Sequence, residues 1–330
     1  MWHDKAMDPR RRLAVAAAVA AVASPWAGAQ SRWPTKTIRI VVPFGPGGVA
    51  DLTARAVGQK LAEQLGQSVV VENKPGAGGL AAGELVARAE PDGHTLLLMS
   101  NGTAVSAGLF RKLPFDAQKD FAPVSLIGTF DLAVLVPENS RFRTLADLLA
   151  HAKANPGKLN IATVAVGSTQ NLAAELFKTT AGVDAQVVPF NGTPAVVTAL
   201  RSGEVDAAVE ILGPVRPQIA GKALRALAVL GDKRPAGLDI PTAAESGGAL
   251  AGLNIASWNA LAAPEGTPRD VVVRLNRELQ AALGSADLQK RLADLNVEAR
   301  SSTPEQLAGL LASEIRRWSE VIARAKIPRQ

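Results

Sequence analysis

The residues of this chain best suited to chemistry are glycines. Ile38-Arg39-Ile40-Val41-Val42 runs into Pro43-Phe44-Gly45-Pro46-Gly47-Gly48, and an amphipathic helix is predicted from Val49 to Leu65. A strand, a glycine turn and a helix in that order leave backbone N–H groups unpaired at the helix start. The helix dipole adds about half a positive charge there, so the turn suits an anion. Glycine keeps side chains away from those amides. Asn73-Lys74-Pro75-Gly76-Ala77-Gly78-Gly79 repeats the pattern, and Gly167-Ser168-Thr169 and Asn191-Gly192-Thr193-Pro194 repeat it twice more. The chemistry implied is capture of a small carboxylate in a cleft, not the making of bonds.

The groups needed for catalysis are scarce. Cysteine and tyrosine are absent and there are three histidines: His3 near the N-terminus, His94 in an expected surface turn and His151 on a helix flank. No Gly-x-Ser-x-Gly elbow occurs, and no His/Glu spacing suggests a metal site. Gly45-x-Gly47-x-x-Ala50, with Glu72 ending the next strand, has the outline of a dinucleotide-binding turn. The second copy at Gly76-x-Gly78 favours repeated anion turns instead. The reading is a binder, not an enzyme, with neither cofactor nor metal.

The N-terminus suggests a compartment. Arg10-Arg11-Arg12 precede an apolar run from Leu13 to Ala23, and Ala27-Gly28-Ala29 supplies a small-x-small site. Residues 1–29 are therefore read as a signal peptide cleaved near Ala29, by the general export route in preference to the twin-arginine one, leaving a periplasmic protein. The net charge of +6 falls to about +4 without the leader and is spread thinly, which argues against nucleic-acid binding.

Stepping along the chain, strands are expected near 68–72, 95–99, 122–128, 132–136, 159–163, 186–189, 205–211, 224–230 and 254–262. Helices are expected at 80–89, 144–154, 169–180, 194–201, 214–220, 268–283, 286–294 and 303–325. The alternation indicates βαβ units with parallel pairing. Ligands of such sheets sit at the carboxyl ends of strands. The last section, one strand and three helices, makes a poor domain by itself and is expected to return to the first.

With these motifs in their order, the chain resembles the periplasmic solute-binding proteins of tripartite tricarboxylate transporters, which include the Bordetella uptake proteins. Further matching residues are Pro91-Asp92-Gly93-His94-Thr95-Leu96, Gly203-Glu204-Val205-Asp206, Leu224-Arg225-Ala226-Leu227-Ala228-Val229 and Ala263-Pro264-Glu265-Gly266-Thr267-Pro268. The resemblance implies an α/β, two-lobed type II periplasmic binding protein, each lobe a mostly parallel sheet flanked by helices. Lobe 1 would be 31–131 plus 253–330 and lobe 2 132–252. It also implies a monomer that takes a small organic acid to integral-membrane transporter subunits. An orphan receptor serving a sensor kinase is the alternative.

The candidate ligand-binding residues are grouped by turn. The first turn offers Phe44, Pro46, Gly47 and Gly48, with Asp51 favoured as a brace; the family places an aromatic beside the ligand at Phe44. The second offers Gly78 and Gly79, and the end of the third strand offers Ser100, Asn101 and Thr103. Across the cleft stand Gly167, Ser168, Thr169 and Asn171, the last where the family often carries histidine. Asn191, Gly192 and Thr193 parallel the first turn, and Asp206 belongs to the family's Gly-x-Val-Asp motif. Glu210, by resemblance near the ligand's distal end, would disfavour a second carboxylate and favour an amine or hydroxyl; otherwise it is a solvent-facing glutamate.

Overall fold

The first strand, β1 (Ile38–Val42), is almost wholly buried, as its Ile/Val run requires. The structure is a computed structural model that describes residues 33–324 and 326–330, so the expected signal peptide lies outside the described residues. Lys36–Gln330 packs as one compact unit. β1 pairs in parallel with β2 (Val69–Asn73) and β3 (Thr95–Ser100), joined through helices α1 (Val49–Leu65) and α2 (Leu80–Ala87). Gly66 ends α1 in the left-handed conformation, its N–H bonded to Ala62 O.

One strand spans the middle of the sheet. The chain from 122 to 136, expected as two strands, is a single strand, β4 (Phe121–Pro137). Its first part pairs antiparallel with β9 (Ala256–Pro264), Phe130 opposite Ser257, and with the short β10 (Val297–Ala299). Its second part pairs antiparallel with β7 (Ala207–Ile211) and β8 (Leu224–Val229). Register shifts near Ser125, Gly128 and Leu135 bend it. Gly128-Thr129-Phe130-Asp131 reads as a turn in isolation; pairing with neighbours remote in sequence overrides that preference.

Beyond β7 the parallel pattern resumes. β5 (Leu159–Val164) lies between β7 and β6 (Ala185–Phe190), and the full order is β2-β1-β3-β9-β4-β7-β5-β6. The expected parallel pairing thus holds on both flanks, while the centre around β4 is antiparallel. Helices α4 (Leu145–Ala154), α5 (Thr169–Ala181), α6 (Thr193–Ser202) and α7 (Leu212–Ala220) belong to the β5–β8 side. Leu135, Ala162, Leu200, Leu212 and Val215 form its core. On the other side are α8 (Arg269–Leu283), α9 (Ala286–Asp294) and α10 (Pro304–Arg324), so the last section does return to the β1–β4 side.

A helix the sequence hides is α3 (Asn101–Leu109). Asn, Gly and Thr are poor helix formers, and the helix is buried nearly all round, so it shows no amphipathic period. Its start is secured by side chains: Ser100 Oγ accepts the Gly102 N–H at 3.1 Å and Thr103 Oγ1 accepts the Ser100 N–H at 3.2 Å. The outer face of α3 packs on α10, where Trp318 is fully buried. Among the described residues no helix is long and apolar enough to cross a membrane.

Candidate ligand-binding cleft

The turn after β1 is held open from below. Asp51, in the first turn of α1, accepts the Gly47 N–H at 3.0 Å and Arg55 Nε at 3.0 Å. Arg55 continues to Asn73 Oδ1, whose Nδ2 donates to Phe44 O at 3.0 Å. Burial opposes ionisation of Asp51, but hydrogen bonds from Arg55, the Gly47 amide and Asn73, with the Arg55 charge, outweigh it and hold the pKa below the usual carboxylate range. Asp51 therefore braces the turn and faces neither cavity described below.

Three helices start at one cavity with amides to spare. Gly48, the N-cap of α1, has no side chain to cap it, and the first intrahelical bond is from Leu52 N–H to Gly48 O. The amides of Val49 and Ala50 are left without an intrahelical acceptor. In α5 the Ser168 hydroxyl caps Asn171 N–H, leaving Thr169 and Gln170. In α6 Pro194 has no N–H and Gly192 has no side chain, leaving Thr193. Gly48, Val49, Ala50, Thr169, Gln170, Gly192 and Thr193 all line the same cavity, which has about 390 Å³ of space with its solvent-open mouth included.

The rest of its wall is neutral. Phe44, Phe130, Val164 and Ile211 supply apolar surface, and Ser100, Ser257 and Asn259 supply polar groups. Thr169 Oγ1 and Ser257 Oγ lie 3.1 Å apart, tying α5 to β9. Among the described residues no Lys, Arg, His, Asp or Glu lines this cavity. An anion here meets only dipoles, each helix start adding about half a positive charge.

The turns that form the cavity touch one another. A Cβ on Gly45 would stand 2.6 Å from Asn191 O, so only glycine allows that approach. Beside it, Gly78 N–H donates to Val166 O at 2.8 Å, and Ser106 Oγ donates to Gly167 O at 3.4 Å. A second cavity adjoins the first, sharing Phe44 and Ser100. Gly78, Gly79, Thr103, Gly167 and Ser168 line that one.

Glu210 is not solvent-facing. It is completely buried at the carboxyl end of β7, directly behind the lining residue Gln170. Its Oε1 accepts Gln170 Nε2 and the Ile211 N–H, both at 2.8 Å, while Oε2 makes no hydrogen bond with the described residues. Burial pushes its carboxyl up, only partly offset by Gln170, the Ile211 amide and the Thr193 hydroxyl.

Other sequence candidates stand elsewhere. Pro46, Gly47 and Asn191 shape the turns without lining either cavity. Asn101 is fully buried with its Oδ1 accepting Trp318 Nε1 at 2.9 Å, turned toward α10. Asn171 spans Gly167 N–H and Thr163 Oγ1, each at 3.4 Å. Asp206 accepts Asn160 N–H at 2.9 Å and precedes β7, about 16 Å of strand from Ile211. His94, expected in a surface turn, is buried beside Asp92. Among the described residues no group of three or more His, Cys, Asp or Glu side chains could hold a metal ion.

Sequence reasoning missed Gln170, Phe130, Ser257 and Asn259. Ser257 and Asn259 carried a signal: two polar residues, two apart, share one face of an otherwise apolar strand. Both are buried, and Asn259 Nδ2 makes no hydrogen bond with the described residues.

Known proteins share this fold. The model of the tripartite tricarboxylate transporter family receptor matches residues 53–327. Protein BugT of Bordetella pertussis is 34% identical over 322 residues, 96% of this chain and 98% of its own. The structure of R. palustris Rpa4515 with adipate matches with a TM-score of 0.85 at 33% identity, over 90% of this chain and 99% of that one. MatC (Rpa3494) from Rhodopseudomonas palustris with bound malate matches at 0.83 and 34%, over 88% and 100%. The chain belongs to the tripartite tricarboxylate transporter receptor family and is a solute-binding receptor with the fold of the periplasmic binding proteins.

Proposed function

We propose that this receptor captures a small organic carboxylate in the cavity where α1, α5 and α6 begin, and presents it to the membrane subunits of a tripartite transporter. The observation that carries the reading is the ring of helix starts with unpaired amides around a cavity whose lining, among the described residues, carries no charged side chain. Such a wall has donors for an anion and no cation to serve it. Adipate and malate, bound by two similar proteins, are both carboxylates and support the class.

The proposal extends to the working cycle. The chain acts in the periplasm as a monomer, after cleavage of residues 1–29 near Ala29. In this reading the receptor binds and releases its ligand chemically unchanged. The lobes are 31–131 with 253–330, and 132–252. β4 crosses from one to the other within a single strand. Closure brings the Gly45 turn onto Asn191 and Gly78 onto Val166, excludes water and shortens the amide–carboxylate bonds.

The test is a thermal-shift screen of the chain from residue 30 onward against mono-, di- and tricarboxylates, with amines and sugars as controls. A carboxylate at about 100 times its Kd adds about 2.7 kcal/mol of stability, a plain rise in Tm. Shifts from a sugar or an amine, and from no carboxylate, would contradict the proposal.

A further inference from the structure

The cavity contains one side chain whose orientation is dictated from outside it. Gln170 lines the wall and is 6% exposed, and its Nε2 donates to Glu210 Oε1 at 2.8 Å. That same oxygen also accepts the Ile211 N–H at 2.8 Å. An oxygen receiving two N–H groups is an acceptor, and it stays one whether the carboxyl is ionised or carries its proton on Oε2. Turning the Gln170 amide over would set its carbonyl oxygen against that acceptor. The amide orientation is therefore set by Glu210: the NH₂ points into the wall. The carbonyl oxygen accepts no hydrogen bond from the described residues and is the acceptor this side chain leaves for the cavity.

We propose that Gln170, held by Glu210, is the specificity-determining residue of this receptor, its carbonyl oxygen selecting a monocarboxylate that carries a hydroxyl or ammonium donor over a dicarboxylate. The inference rests on the carboxylate reading above, in which one carboxylate takes the helix-start amides. A second carboxylate brought to Gln170 meets an acceptor with a carboxyl behind it and no cation in the wall. A hydroxyl or ammonium there completes the hydrogen bond that the glutamine otherwise lacks. Rejection of this kind works through the unpaired polar group left behind, and repulsion against the wrong ligand matters as much as attraction for the right one.

Calorimetric titration with two matched series provides the test: butanoate, 4-hydroxybutanoate, 4-aminobutanoate and succinate, then hexanoate, 6-hydroxyhexanoate, 6-aminohexanoate and adipate. In at least one series the hydroxy or amino acid should bind about tenfold or more tighter than both the plain acid and the diacid of its length. In Glu210→Met the acceptor that Gln170 and the Ile211 N–H share is gone, so the Gln170 amide can turn over and present its NH₂, and the preference should shift toward the diacid by about tenfold. Gln170→Leu, of similar volume, should bring the hydroxy acid down to the level of the plain acid. Thermal melts of both variants check that they fold. A wild-type preference for the diacid, or a hydroxy-acid preference that survives Gln170→Leu, overturns this inference and leaves the carboxylate reading standing. Absence of binding by every acid overturns the carboxylate reading itself.

Discussion

Gly45 lies against the backbone carbonyl of Asn191, so close that a Cβ on Gly45 would stand 2.6 Å from that oxygen. The two residues belong to the turns after β1 and β6, which lie on opposite sides of the cleft. Because the opposing atom is backbone, it cannot swing aside as a flexible side chain would. Gly45→Ala should therefore hold the turns apart, weakening ligand binding by about tenfold or more while Tm without ligand falls only a few degrees. Titration and melting of the same sample check it. Unchanged affinity would show that the contact is not needed for binding.

Asp51 makes an acid-sensitive brace. Its folded pKa is depressed, so the stability it contributes is fully present above its ordinary value of 3.8 and is lost as pH falls through the folded value. Asp51→Asn removes a carboxylate that accepts from Gly47 and Arg55. It should cost about 1–3 kcal/mol at neutral pH and progressively less in acid. Denaturant unfolding at several pH values measures this. A cost independent of pH would remove the charge from the argument.

Glu210 acts in the opposite sense. Burial raises its folded pKa above the ordinary 4.5, so the folded state holds its proton longer than the unfolded state does. Stability attributable to this group falls as pH rises above 4.5 and levels off beyond the folded pKa. The stability of Glu210→Gln relative to wild type should therefore increase from pH 4.5 upward. A flat difference across that range would mean that the carboxyl titrates normally in its buried position.

These residues also mark how far the sequence could be read. The strand–turn–helix from Ile38 to Leu65 is legible because an apolar run, a glycine turn and an amphipathic period follow one another locally. Thr169, Gly192 and Thr193 are legible for the same reason, each lying at a helix start after a strand. Asn101 looks like a ligand donor at a strand end, but Trp318, 217 residues later, takes its oxygen. Only the packing of α10 on α3 brings that partner to it. Gln170 is not legible because nothing local distinguishes it from a surface glutamine in the first turn of a helix. Its meaning comes from Glu210 on β7, 40 residues away. The continuity of β4 was hidden in the same way, because its pairing partners come from both later sections of the chain.

The central claim is that backbone amides at helix starts hold a ligand carboxylate without any cation. It is tested most directly by titrating wild-type protein with the strongest carboxylate from the thermal-shift screen and with its primary amide. The account predicts that the amide binds about 100-fold or more weakly, since it brings no charge to the helix dipoles and sets its own N–H groups against donors. An amide that binds as tightly as the acid would contradict the account, because the unpaired amides at the helix starts would then not be what recognises the ligand.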